Sequence, residues 1–237
     1  MLCSSLEQAE QANLQVRYGS RMRLDRLREI ARARTSAVEP AHDFQHVLRV
    51  AGNARAIGAA EGARVEVVEA AALLHELFNY PKDHPESARS GEVCAEHAAK
   101  VLREEGWAEA EVEAIAYCIR VHGFSRGLRA ETLEARVLQD ADRLDAIGAI
   151  GIARCFATCA AMQRPFYQPE DPFCAAREPD DKQWGIDHFY RKLLKIPEQL
   201  HTASARRLGA ARAAFMTSYL QQLRGELAPS TPDVLAG

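Results

Sequence analysis

Several polar residues sit where an apolar helical pattern has little use for them. They are His46 in "DFQHVLRVA", the adjacent His75 and Glu76 in "ALLHELFNY", His122 in "RVHGF", and Asp140, Asp142 and Asp145 in "VLQDADRLDAIGAIG". Two imidazoles and carboxylates from separate helices can converge on one divalent cation, leaving positions open for water and substrate. Each residue also has a plainer explanation. A single helical histidine is commonly satisfied by a backbone carbonyl, and an acidic run is commonly a solvated face with i,i+3 partners. Within "QDADRLD", however, Asp142 and Asp145 interleave with Leu138, Leu144 and Ile147. One acid is therefore expected to turn inward, and a buried acid needs a partner. His42 shares a helix spacing with His46 but precedes the expected cap, and is expected only to flank the site.

Such residues need helices to position them. The apolar periodicity is helical almost throughout, rich in Ala, Leu, Glu and Arg, and alternating β-branched runs are absent. The expected fold class is all-α. An amphipathic stretch from about residue 4 to 36 contains "YGS", which can split it, and Asp43 is placed to cap a helix running to about Glu61. Further helices are expected near 65–77, 89–105, 109–121, 132–146 and 149–162, with "NYPKDHPESARSG" as a polar loop. The four prolines of "QRPFYQPEDPFCAAREPDDKQWG" preclude a long helix, while its aromatics supply groups that pack, so it reads as an ordered excursion. One or two helices from about Asp187 to Leu227 follow, and "APSTPDVLAG" is expected to fray. Gly148 and Gly151 in "GAIG" read as close-packing glycines inside a helix rather than a phosphate cradle.

The bulk properties narrow the classes. A chain of 237 residues, 47% hydrophobic and 27% charged, can build one sizeable core. Thirty Lys and Arg against thirty-three Asp and Glu give a net charge of −3, so no global basic field points to a long nucleic acid. A local cluster of cations would still suffice for a small anionic substrate. "MLCSSLEQAE" lacks a basic n-region and an apolar h-region, and no stretch of about 18 or more apolar residues occurs, so the expectation is a cytoplasmic chain with no membrane partner. The six cysteines form no CxxC pair, and Cys155 and Cys159 are spaced as on one helix face. They read as buried reduced thiols.

The series His46, His75-Glu76, Asp142 resembles the H…HD…D signature of the HD-domain metal-dependent phosphohydrolases. The stretches "HDFQHVLRV", "AALLHEL" and "VLQDADRLDAIGAIGIAR" resemble one bacterial branch of that superfamily especially closely, and the similarity runs from about residue 20 to 225, including "DHFYRKLLK". Four stretches in the right order carry far more weight than an isolated pair. The resemblance implies an HD-domain helical bundle in a single domain with extra N- and C-terminal helices. Residues 1–40 would be a helical extension packed on the core, 41–162 the metal-binding core, 163–227 the excursion and C-terminal helices, and 228–237 a frayed tail.

Carried over position by position, the resemblance makes His46, His75 and Asp142 metal ligands. The family's aspartate is Glu76 here. A glutamate can bind the same hard cation at roughly 2.0 to 2.3 Å, on a stem one methylene longer, so backbone or ligand must yield. Mn²⁺, Mg²⁺, Fe²⁺, Co²⁺ or Ni²⁺ would suit such a set, as one divalent ion. The implied activity is cleavage of a phosphoester or phosphoanhydride bond, mostly in nucleotides, by a metal-activated water. Where some relatives carry a water-activating acid, this chain has Asn79 and Tyr80, which leaves Asp145 and Asp83 as candidates.

Substrate phosphates should meet cations. Lys82 and His84 follow the metal pair directly, and His122, Arg126, Arg143 and Lys192 are further candidates. His122 ends a helix, where it can donate to a phosphoryl oxygen or simply interact with the helix dipole. Two other classes stay open. His97 and His122 fall in the interval where di-iron oxygenases of the superfamily carry extra histidines, and the Asp-to-Glu change at the pair keeps a non-catalytic nucleotide sensor in view. The oligomeric state is left open, a homodimer being one candidate.

Overall fold

The computed structural model describes residues 19–34, 43–80, 84–123 and 127–228. Among these residues every regular element is helical and no strand occurs, so the fold is all-α. The chain divides into two compact units, residues 1–142 and 143–237.

In the first unit, helix α1 (residues 19–34) buries Leu27 and Ala31 completely. Its Arg23 reaches Glu66 at 2.7 Å and Glu111 at 2.9 Å, and its guanidinium lies 3.8 Å over the Trp107 ring. Helix α2 (Phe44–Glu61) begins where expected, because the Asp43 side chain accepts the backbone N–H of His46 at 2.8 Å. Helix α3 (Val65–Leu74) is buried without a break from Val67 to Leu74, and Glu69, the one charged residue in that run, meets Arg28 at 3.5 Å. It stops three residues short of the expected end. His75 is its C-cap, and Leu77 N–H returns to Leu74 O in a tightened last turn.

A 3-10 turn (Ser87–Arg89) leads into α4 (Ser90–Glu104), which packs on α5 (Glu109–Val121). The approach is close: a Cβ on Gly91 would lie 2.9 Å from the carbonyl oxygen of Arg120. Helix α5 packs in turn on α3. Helix α6 (Leu133–Asp145) buries Leu138, Leu144, Asp140 and Asp145, while the Asp142 side chain keeps 25% of its exposure. Two acids thus turn inward, not one, and the acid of the expected metal set is the more open.

In the second unit, α7 (Gly148–Ala161) starts at a glycine with φ 79°, rather than carrying it inside a helix. That left-handed conformation, and the 3.1 Å at which a Cβ would meet the Arg212 side chain, both favour glycine there. Residues 163–186 are an ordered loop closed at its base, Gly185 N–H on Pro165 O at 3.0 Å and Ile186 N–H on Phe166 O at 2.7 Å. Asp187, fully buried at the start of α8 (Asp187–Arg191), pins the loop by accepting from Arg177 Nη2 and from the Asp180 N–H, each at 2.7 Å. A 3-10 segment (Leu193–Gln199) and the long α9 (Ala203–Leu227), capped by Thr202, complete the unit. Cys94, Cys118, Cys155 and Cys159 are free and buried, Cys174 is free and partly exposed, and Cys3 lies outside the described residues. No single described helix is long and apolar enough to cross a membrane.

Candidate metal centre

His46 enters from the first turn of α2, His75 from the end of α3, and Asp142 from α6. One ligand atom of each lies within 4.8 Å of the others. His46 Nε2 is 3.3 Å from His75 Nε2, 3.6 Å from Asp142 Oδ1 and 3.9 Å from Glu76 Oε1. Glu76 Oε1 is also 3.8 Å from His75 Nε2, with 10% of its side chain exposed. Both imidazoles are buried.

The local fold prepares His75 to coordinate. Its Nδ1–H donates to Ala72 O at 2.6 Å, so the Nε2 lone pair is what it presents to the cluster. Burial, opposed by the nearby Glu76, pushes its pKa down to about 4, and the ring is therefore neutral at pH 7. Two ring nitrogens and the Asp142 carboxylate within 4.8 Å of one another fit a divalent cation with nitrogen and oxygen preference, while Glu76 stands beside the two imidazoles but outside that group. The thiol of Cys94 belongs elsewhere. It donates to the carbonyls of His75 at 3.2 Å and Leu74 at 3.4 Å, and burial raises its pKa to about 12.

His122 repeats the geometry of His75. It caps α5, its Nδ1–H donates to Ile119 O at 2.5 Å, and its ring meets that of His75 edge-on with centroids 5.3 Å apart. The C-termini of α3 and α5 thus converge beside the cluster, and their partial negative charges favour a cation there. Sequence reasoning missed the residues that hold these ends. Gln139 Nε2 donates to Val121 O at 2.7 Å and Leu128 O at 3.1 Å, fastening the chain around His122 to α6. Asn53 Nδ2 donates to Ala141 O at 3.3 Å, linking α2 to the residue beside Asp142. Their signal was available: an amide among apolar helix positions has donors to satisfy.

The remaining candidates have diverse surroundings. Lys82, Asp83 and Arg126 lie outside the described residues. His84 stacks on Tyr80 with centroids 4.5 Å apart and accepts the Glu86 N–H on Nδ1 at 3.1 Å. His97 is exposed on α4 against Phe78. In the second unit Asp145 is buried and bound to Arg154 at 2.8 Å, whereas Arg143 donates to Gln199 O at 2.6 Å and meets His201 Nε2 at 3.0 Å. Lys192 is half-buried at the end of α8.

Comparison with known proteins agrees with this geometry. The HD domain family matches residues 43–147, which span His46, the His75-Glu76 pair and Asp142. The uncharacterized protein YpgQ of Bacillus subtilis is 33% identical over 190 residues, 78% of this chain and 84% of YpgQ. The crystal structure of YpgQ in complex with ADP superposes with a TM-score of 0.69 at 31% identity, covering 89% of this chain and 97% of that one. An HD-superfamily hydrolase from Bacillus thuringiensis gives a TM-score of 0.70 at 27% identity, covering 89% of this chain and all (100%) of that one. With the three-residue cluster of His46, His75 and Asp142, the all-α fold and these relatives in agreement, the chain belongs to the HD-domain superfamily.

Proposed function

We propose that the protein is a metal-dependent phosphohydrolase that cleaves a phosphoester or phosphoanhydride bond in a nucleotide or similar small phosphorylated metabolite. The cluster of His46, His75 and Asp142, with Glu76 beside both imidazoles, is the observation that carries this reading. These four residues would hold one Mn²⁺, Mg²⁺, Fe²⁺, Co²⁺ or Ni²⁺ ion. When bound, such an ion supplies charge that polarises a phosphoryl oxygen and lowers the pKa of a water. The nucleotide as substrate class is supported by the ADP in the solved structure of YpgQ.

The chain's own groups do the rest. His75 keeps its proton on Nδ1, away from the cluster, through Ala72 O. His122, with Nδ1–H equally committed to Ile119 O, would donate to a phosphoryl oxygen from Nε2 as the doubly protonated ring. Lys82 supplies counter-charge from the loop that follows the pair. Asp145 is committed to Arg154, which makes Asp83 the better of the two acids proposed to activate water.

A phosphate- and pyrophosphate-release screen over nucleoside mono-, di- and triphosphates, with each of the five metals added in turn and again after chelation, tests the proposal. Metal-dependent release from at least one nucleotide is expected. Release from none, under any of the five metals, contradicts it and leaves nucleotide binding without catalysis.

A further inference from the structure

The loop that leaves the His75-Glu76 pair carries a run of rings. Phe78 meets the exposed His97 at 5.3 Å on one side and Tyr80 edge-on at 4.7 Å on the other, and Tyr80 lies flat against His84 at 4.5 Å with an interplanar angle of 11°. These are not core rings. Phe78, Tyr80 and His84 are all partly exposed. Three hydrogen bonds hold the stack: Tyr80 N–H donates to Ser90 Oγ at 3.1 Å, Tyr80 Oη donates to Glu86 Oε2 at 3.2 Å, and Glu86 N–H donates to His84 Nδ1 at 3.1 Å.

That last bond decides what His84 can do. A ring nitrogen that accepts a backbone N–H is committed to it, which leaves Nε2 and the flat face of the ring for a ligand. The ring is a flat polarizable plane held parallel to that of Tyr80. One face rests on Tyr80, and among the described residues no ring covers the other. Tyr80 is four residues beyond Glu76, which limits its Cα to about 14 Å from that of Glu76. A sugar and its phosphates bridge a span of that order.

Resting on the phosphohydrolase reading above, we infer that Tyr80 and His84 form the platform on which the base of a nucleotide substrate stacks, with the phosphates directed to the metal cluster. His84 thereby moves from the phosphate end of the substrate to its base. Stacking of this kind tolerates different bases, since every base has a π-face. Broad nucleotide acceptance is therefore expected over selection of one base.

Calorimetric titration of the Mn²⁺-loaded protein with ADP and, separately, with inorganic pyrophosphate reads the platform without requiring turnover. His84→Ala is expected to weaken ADP binding by about tenfold, the order expected for loss of one base–aromatic stack, while pyrophosphate binding shifts much less. His84→Phe, which keeps a flat ring, should retain most of the ADP affinity and so separates stacking from a folding defect. Equal weakening for both probes would overturn the inference and return His84 to phosphate. An unchanged ADP affinity in His84→Ala would overturn it as well, with the phosphohydrolase reading untouched. Failure of the unaltered protein to bind either probe would overturn both.

Discussion

At the scale of single residues, the two histidines that end helices do the most with the least. Each ties Nδ1 to the carbonyl three residues back, so backbone geometry alone sets which nitrogen faces the cluster. His122 is close to His75 but, like Glu76, outside the group of ligand atoms within 4.8 Å of one another, and unlike Glu76 it is outside the family's ligand signature. Its replacement by Ala should raise KM or lower kcat while leaving bound metal at the unaltered level, as measured by steady-state kinetics and metal analysis on the same sample. Loss of metal in that variant would make it a ligand. Glu76 stands 3.8 and 3.9 Å from the two imidazole nitrogens on a longer stem than the family's aspartate. Glu76→Asp should therefore preserve or raise metal affinity and hydrolysis. A fall of more than about tenfold, roughly 1.4 kcal/mol in the barrier, would mean the site has been rebuilt around glutamate.

At the scale of elements, the site depends on where helices stop and how closely they cross. Gln139 holds two carbonyls near the end of α5, and its replacement by Leu leaves both without that donor. Thermal or urea unfolding should show a loss of about 1 to 3 kcal/mol, with weaker hydrolysis, because His122 is released with the helix end. A stable Gln139→Leu with full activity would remove the clasp from the account. Helix starts and most helix interiors were legible in the sequence, Asp43 as a cap and the α5 span above all, because caps and apolar periodicity are local signals. The end of α3 was not, since Leu77 is apolar and continues the pattern while the backbone has already turned at His75. The metal residues were legible as types and order. The support behind them was legible only as residue types: Gln139, Asn53 and Cys94 act through long-range bonds to backbone carbonyls whose identity no spacing rule announces.

At the scale of the molecule, each compact unit has its own polar anchor. The second relies on Asp187, fully buried yet ionised. Burial works to raise its pKa, but Arg177, the Asp180 N–H and the Cys174 thiol outweigh it and hold the carboxyl below its ordinary value. As pH falls, the unfolded chain takes up this proton before the folded one does. The stabilisation is thus complete above the unfolded carboxylate value of about 3.9 and is lost as pH drops through the lower folded value. Asp187→Asn should cost about 2 to 3 kcal/mol near neutrality, and urea titrations of both proteins should show the gap closing below about pH 4. A gap independent of pH would contradict the paired-carboxylate account. The central claim is that one divalent ion is held by His46, His75, Asp142 and Glu76. Metal analysis after mild purification and reconstitution with Mn²⁺ tests it most directly: the account predicts one ion per unaltered chain and little or none in His46→Ala and Asp142→Ala variants that remain folded. One ion retained in both variants, or none in the unaltered chain, would contradict it.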